Sequence, residues 1–93
     1  MRFKFDKRKS EKLRRDRRRR IGFEEVQELF DQDHYLEQRN DLPEQWIAIG
    51  CVRGRLVSVI FEYRTDEEGE YLHLVTLWPA SKPEQKFYEK NKI

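Results

Sequence analysis

The spacing of the hydrophobic residues predicts two helices in the first third of the chain. Residues 8–20 contain no Gly or Pro, carry charges on nearly every face and have Leu13 as their one strong apolar anchor, so we expect a weakly packed helix. After Ile21 and Gly22, apolar residues recur every three or four positions, which predicts a short amphipathic helix over 23–31 whose core stripe is Phe23, Val26, Leu29 and Phe30.

The spacing then changes to that of β-strands. Residues 46–52 and 56–63 are apolar and β-rich, and Arg53-Gly54-Arg55 between them suits a hairpin in which Gly54 takes a positive φ. An acidic turn over 65–70 contains Gly69 and leads to a third run, 71–78. These runs predict a three-stranded antiparallel meander over 46–78. Residues 34–36 are expected to form a short preceding strand, and 39–43 a loop, because Pro43 lacks the amide hydrogen of a strand residue.

The chain ends on a pattern typical of a helix start. Ser81-Lys82-Pro83-Glu84 has the form of a capping box, with Ser81 as N-cap and Glu84 able to reach back to its amide. We expect a helix over 82–91 that packs through Phe87. The elements together predict an α+β fold with two N-terminal helices, a short strand plus the meander, and a C-terminal helix.

Composition limits the chain to one domain and gives it a strongly uneven charge. Its 93 residues are 37% hydrophobic and 41% charged. Residues 1–20 hold twelve Lys or Arg against three acids, a net +9, and the remaining residues carry −7. A basic segment of this kind attracts phosphates, and it suits an acidic protein partner equally well.

The location we expect is the cytoplasm, with no membrane partner. The single cysteine, Cys51, lies in an apolar run where a buried, inert thiol is usual, which fits a reducing compartment. No stretch reaches the roughly 18 apolar residues of a membrane span, and the charged start lacks the apolar segment of a signal peptide.

Several short strings occur in an order that resembles the BrnT family of bacterial toxins. The strings are Phe3-Lys4-Phe5-Asp6 with Lys9, Ile21-Gly22-Phe23-Glu24-Glu25-Val26, Trp46-Ile47-Ala48-Ile49-Gly50 before the Arg53-Gly54-Arg55 turn, and Ala80-Ser81, Glu84 and Tyr88-Glu89 at the end. The resemblance implies a RelE-like fold and a toxin of a type II toxin-antitoxin pair. Such a toxin is a ribonuclease that inhibits translation without cofactor or metal, and its partner is a ribbon-helix-helix antitoxin of BrnA type, through which it reaches operator DNA.

The chain departs from the family pattern where catalytic residues are expected. Arg18-Arg19-Arg20 stands where members carry Lys-His-Gly, so one candidate histidine is missing. The family's Tyr-Thr-Glu-Arg reads Phe61-Glu62-Tyr63-Arg64 and keeps the arginine, and both basic residues of a second motif are absent from Thr76-Leu77-Trp78-Pro79-Ala80. The departures leave open a relative that has lost its activity.

Four residues are candidates for RNA cleavage, each with an ordinary structural alternative. Cleavage needs proton transfer and neutralisation of the charge that develops on the phosphate. Arg64 matches the family arginine and suits a phosphate clamp, or it is a solvated residue beside the acidic turn. His73 titrates near neutrality and is a proton-transfer candidate or a sheet-surface histidine, as is His34. Glu84 and Tyr88 are further proton-transfer candidates, or a cap and a packing aromatic.

A second group of residues is predicted to bind RNA. Its members are the basic run Arg17, Arg18, Arg19 and Arg20 and the hairpin residues Arg53 and Arg55, for which solvated charge is the alternative. No spaced set of zinc ligands and no Gly-rich phosphate loop is present in the sequence, so neither cofactor nor metal is expected.

Three functions therefore remain open from sequence. The first is a toxin ribonuclease in which Arg64 holds the phosphate. The second is a catalytically degenerate module of the same fold that binds an antitoxin and assists operon repression. The third is a small nucleic-acid-binding protein with a basic arm. The ordered strings favour the first two.

Overall fold

A computed structural model describes residues 1–91 of the chain. Its elements in chain order are β1 (Arg2–Lys4), α1 (Lys7–Arg15), α2 (Phe23–Val26) continued by a 3₁₀ segment (Gln27–Asp31), β2 (Tyr35–Asp41), β3 (Glu44–Val52), β4 (Arg55–Asp66), β5 (Gly69–Pro79) and α3 (Lys82–Asn91). None of these helices is long and apolar enough to cross a membrane.

The strands form a five-stranded mixed sheet in the order β1-β5-β4-β3-β2. β1 runs parallel to β5, whereas the other neighbours are antiparallel. The predicted meander is therefore confirmed as β3, β4 and β5, and its first turn places Arg53 and Gly54 at positive φ. The α+β class, the N-terminal helices and the C-terminal helix over 82–91 are confirmed as well.

The two faces of the sheet carry different layers. On one, which we call the core face, α1, α2 and the 3₁₀ segment bury an apolar cluster that includes Leu13, Phe23, Val26, Leu29, Ala48, Val57, Val59, Phe61, Leu72, Leu74 and Leu77. Because side chains alternate along a strand, Ser58, Ile60 and Glu62 of β4 point to the opposite face, which carries α3. Most apolar burial thus lies under the N-terminal helices.

The predicted helix over 8–20 is wrong at its C-terminal end, because α1 stops at Arg15. Asp16 caps the helix, and its carboxylate accepts hydrogen bonds from the amides of Arg18 and Arg19. A short Asp side chain that binds nearby backbone amides favours a turn over further helix. Arg17 to Arg20 therefore form a turn, and Arg20 has a φ of 62°.

Only Ser10 and Leu13 of the nine α1 residues are buried, as expected for a helix with one apolar anchor, but polar contacts fasten the helix to α2. Ser10 is fully buried, its hydroxyl accepts from the amide of Phe23 at 2.8 Å, and it donates to Glu24. Arg14 binds Glu24 and Glu25 of α2 through its guanidinium. A Cβ on Gly22 would lie 2.4 Å from Ser10 Oγ, so the close approach of the two helices requires a glycine there.

The strand boundaries differ from the prediction where strand residues are polar. β1 was not predicted, and β2 continues through Arg39 to Asp41, so the expected loop over 39–43 shrinks to the turn at Leu42 and Pro43. β4 likewise extends to Asp66, which leaves only Glu67 and Glu68 as the acidic turn. These stretches lack the apolar alternation of a half-buried strand, because pairing with a neighbour and not burial holds them extended.

Candidate functional site

The helix α3 covers only part of its sheet face. The register places side chains there in successive rows across the strands. The first row, Tyr35, Ile49, Ser58 and Trp78, lies beneath α3, and the next holds Ile47, Ile60 and Thr76. Beyond them the face becomes polar, with Lys4, Gln45, Glu62, Arg64, Tyr71 and His73. We call this polar group the open face.

Glu62 is the carboxylate at the centre of the open face. It is 9% exposed, which is unusual for an acid on a sheet surface. Gln45 Nε2 donates to its Oε2 at 2.8 Å, and Arg64 Nε donates to its Oε1 at 2.9 Å. The hydrogen bond from Gln45, supported by that from Arg64, holds the pKa of Glu62 below its ordinary value despite burial. Glu62 is therefore ionised at neutral pH.

His73 is the register partner of Glu62 on the neighbouring strand β5. Burial lowers the pKa of His73 below its ordinary value of 6.5, and the charges of Arg64 and Lys9 lower it further, while Glu62 acts in the opposite direction. Lys4 of β1 is the register partner of His73 on its other side, but its ammonium group binds Asp66 at 2.7 Å. The charges that act on the imidazole are those of one anion, Glu62, and two cations, Arg64 and Lys9.

Arg64 completes the group from the same strand as Glu62. Both Nε and Nη2 of Arg64 donate to one oxygen of Glu62, and this ion pair raises the pKa of the guanidinium. The Arg64 side chain nevertheless remains 48% exposed. The open face therefore combines a largely buried carboxylate, an imidazole and a solvent-accessible guanidinium, which are the groups that proton transfer and phosphate binding require.

The structure brings together two of the four predicted catalytic residues and places the other two on α3. The Glu84 carboxylate accepts from Ser58 at 3.0 Å, from Trp78 Nε1 at 3.0 Å and from the Ser81 amide at 2.8 Å. Ser58 precedes Glu62 by four strand residues, a distance of about 13 Å along β4. Because Glu84 is bound to Ser58, it lies about that far from Glu62. Tyr88 is partly buried one helical turn beyond Glu84.

The predicted capping box is confirmed. The Ser81 hydroxyl accepts from the Glu84 amide at 3.3 Å, while the Glu84 carboxylate reaches back to the Ser81 amide. Burial by itself would raise the pKa of Glu84, but the hydrogen bonds from Ser81, Trp78 and Ser58 hold it below its ordinary value. The second histidine, His34, is hydrogen-bonded through Nδ1 to the Gln32 carbonyl oxygen and lies away from the open face.

The arginines predicted to bind RNA divide into structural and exposed ones. Arg19 Nε donates to the Leu77 carbonyl, and Arg55 donates to the carbonyls of Arg18 and Arg19, so these two side chains fasten the turn to the sheet. Arg53 forms an ion pair with Glu28 at 3.4 Å. The side chains of Arg17, Arg18 and Arg20 remain exposed.

The sequence did not identify Glu62 and Gln45 as site residues. The available signal was Glu62 itself, a carboxylate inside the apolar strand run 56–63 that alternation places on the face opposite the core residue Phe61. Gln45 could not be assigned, because its bond to Glu62 depends on the register of β3 and β4.

Comparison with known proteins gives no assignment. No family model matches the chain, and no curated protein matches it at a significant level. Among residues 1–91, no group of three or more His, Cys, Asp or Glu side chains is placed to hold a metal ion. A function for the open face is therefore argued from its geometry and from the short strings described above.

Proposed function

We propose that this protein is an endoribonuclease that cleaves single-stranded RNA on its open face. The observation that carries the proposal is the pairing of Glu62 with His73 across β4 and β5, with Arg64 bound to Glu62. A carboxylate base, an imidazole acid and a guanidinium on one rigid sheet surface are suited to attack by the 2′-hydroxyl group of RNA.

The reaction assigns one role to each residue. Glu62 accepts the proton of the 2′-hydroxyl as that oxygen attacks the adjacent phosphorus. The bond from phosphorus to the 5′-oxygen breaks, and protonated His73 donates a proton to the leaving oxygen. Arg64 stabilises the negative charge on the phosphate oxygens. The products carry a 2′,3′-cyclic phosphate and a 5′-hydroxyl.

The free protein holds His73 mostly neutral at pH 7, and the substrate changes this. A bound phosphate adds negative charge beside the imidazole, which favours its protonated form. Arg64 and Lys9, the cations that lower the pKa of His73, would be partly neutralised by the same phosphate. Binding of RNA thus prepares the acid that cleavage needs.

The biological setting we propose follows from the resemblance to BrnT. The chain would be the cytoplasmic, RelE-like toxin of a type II pair, its activity would inhibit translation, and a BrnA-type antitoxin would bind it and connect it to operator DNA. The five-stranded sheet with N-terminal helices is compatible with that assignment.

A second candidate is a polyanion-binding module without catalysis, which the basic surface of the helical layer favours. Lys7, Arg8, Lys12 and Arg15 of α1 line a shallow depression together with Glu11, and the exposed Arg17 and Arg18 follow directly. In this alternative the module binds nucleic acid or an antitoxin through that surface, and the open face has no reaction to perform.

The experiment that tests the proposal examines the chemistry of the products. Purified protein is incubated with a labelled RNA and with the same RNA carrying one 2′-deoxynucleotide at the main cleavage position. We expect fragments with cyclic phosphate ends from the first and no cleavage at that position in the second. Fragments with 5′-phosphates, or cleavage at the deoxynucleotide, would overturn the proposal.

A further inference from the structure

A groove of about 360 Å³ lies between β2, β3 and α3, beside the open face. Its walls include Tyr35, Glu37, Arg39, Trp78, Glu84 and Phe87. The volume is within the range of small-ligand sites, and the lining combines apolar and aromatic surface with a few polar groups.

One side of the groove is formed by two stacked aromatic rings, one of which is open to solvent. The rings of Tyr35 and Phe87 stack with centroids 5.9 Å apart and an interplanar angle of 13°. Phe87 is 49% exposed, although it is a large apolar residue, so ring surface remains open to solvent. Rings of this kind stack on nucleobases without regard to sequence.

The polar side of the groove supplies a cation. The guanidinium of Arg39 lies over the ring of Trp78, 5.6 Å from its centroid, and Arg39 has no ion pair among the residues that the structure describes. Trp78 is held beneath it by the bonds from its Nε1 to Glu84. The Glu84 carboxylate is occupied by its capping bonds, and Glu37 bonds the Tyr35 hydroxyl. Arg39 is therefore positioned and available for an anion.

The groove continues directly into the open face. Ile47 lines it and follows Gln45 by two residues along β3, a distance of about 7 Å. Gln45 is the residue that donates to Glu62. A strand of nucleic acid whose phosphate lies at Glu62 and His73 would therefore reach the groove within a few nucleotides.

We propose that this groove is a nucleotide subsite for single-stranded RNA, in which Phe87 stacks on a base a few nucleotides from the cleaved bond and Arg39 binds that nucleotide's phosphate. The identity of the ligand as RNA rests on the proposed function. The subsite gives the open face a way to hold an unstructured strand, because a flat stacking surface and one phosphate contact suit unpaired nucleotides.

Binding is measured with a single-stranded DNA oligonucleotide, which has no 2′-hydroxyl and so cannot be cleaved by the proposed reaction. The signal is the fluorescence of Trp78 in a Trp46→Phe background, since Trp46 lies on the other sheet face against Tyr63. In this background Phe87→Leu keeps an apolar side chain on α3 but removes the stacking ring. We expect it to weaken affinity about 10-fold.

The charge contact has its own readout and control. Arg39→Gln should lower the slope of log affinity against log salt by about 0.7, the value for one phosphate contact on a single strand. Lys86→Gln removes the same charge from an exposed position of α3 that does not line the groove, and should leave the contribution of Arg39 intact. Tyr63→Leu is the matched control for Phe87→Leu, because Tyr63 is 43% exposed on the opposite face.

The outcomes separate this inference from the proposed function. If Phe87→Leu and Arg39→Gln bind the oligonucleotide as the background protein does, the subsite is wrong, even when RNA is cleaved. If both weaken binding and the two controls do not, the subsite is supported, even when no RNA is cleaved and the proposed reaction fails. Equal weakening by the controls would also overturn it, because the groove would then have no special part in binding.

Discussion

Glu62 and His73 are register partners on β4 and β5, and both side chains project from the sheet face that α3 leaves open. Gln45 and Arg64 orient the carboxylate from either side. The pair stands on two central strands of the sheet and not on loops, so its geometry is set by backbone pairing over many residues. Such support is what acid-base chemistry needs from a scaffold.

The pH dependence of cleavage follows from the two pKa directions. Glu62 must be ionised, and its pKa lies below 4.5, so this condition holds at every pH above that pKa. His73 must be protonated, and its pKa lies below 6.5, so this condition holds only at a pH below that pKa. The pH profile of kcat/KM, which reports the ionisation of the free enzyme, should therefore be bell-shaped with its maximum below pH 6.5.

A charge variant checks the assignment of the alkaline limb. Lys9→Gln removes a cation that lowers the pKa of His73, while Arg64, Glu62 and Lys4 remain around it. The alkaline limb should move to higher pH in this variant. A limb that does not move, or a maximum at pH 8, would contradict the assignment of His73 as the acid.

Arg64→Ala should separate catalysis from stability. The side chain is about half exposed, and an exposed ion pair contributes about 0–1 kcal/mol, so the melting temperature should change little. Loss of the phosphate clamp should lower kcat by about 10² to 10³. Thermal unfolding and cleavage rates are measured on the same preparation. Wild-type cleavage in this variant would show that Arg64 is not the clamp.

Glu84→Gln should affect stability and not cleavage. It weakens the capping box and the bonds from Ser58 and Trp78, which should cost about 1 kcal/mol at pH 7. Because the folded pKa of Glu84 lies below 4.5, its stabilisation is present above that pH and is lost as the pH falls through the folded value. The gap in melting temperature between wild type and variant should therefore close on acidification. A large fall in kcat with unchanged melting temperature would instead place Glu84 in the reaction.

Substitutions within the run Arg17 to Arg20 should have two different effects, one on RNA binding and one on stability. Replacing Arg17, Arg18 and Arg20 by Gln should leave folding intact and lower the salt slope of RNA binding by up to about 2.1. Arg19→Gln removes a bond to the Leu77 carbonyl and should lower the melting temperature instead. The turn is fastened to Arg55, which begins β4 nine residues before Arg64, so the turn lies about 30 Å along the strand from Arg64. Because of this distance, the triple variant should retain its cleavage rate at saturating RNA. A collapse of that rate would link the turn to the open face.

The parts of the fold that bury apolar side chains could be predicted from sequence. Phe23, Val26 and Leu29 revealed the second helical segment, and the alternation from Trp46 to Trp78 revealed the meander. β1 and the outer half of β2 could not be recognised, since their residues are held by backbone pairing at the sheet edges and carry little periodic burial. The turn after Asp16 was missed because a helix-compatible run of arginines gave no sign of it.

The candidate site could be predicted only in part for a related reason. Arg64 and His73 could be proposed from the sequence, because Arg64 matches an arginine of a similar family and His73 is a titratable strand residue, but only the register shows that they share a face. Glu62 lies within an apolar run and was not identified there, and its hydrogen bond from Gln45 depends on the pairing of β3 with β4. Glu84 was a reasonable candidate from its residue type, and its hydrogen bonds to Ser58 and Ser81 give it a structural role.

The most direct test of the central claim compares single-turnover RNA cleavage by wild type, Glu62→Gln and His73→Gln with two matched controls. His34→Gln changes the other histidine, and Glu89→Gln changes an exposed acid of α3. We expect each open-face variant to lose about 10² to 10⁴ in rate with its fold intact by circular dichroism, while both controls cleave as wild type does. Cleavage at the wild-type rate by Glu62→Gln and His73→Gln would contradict the account.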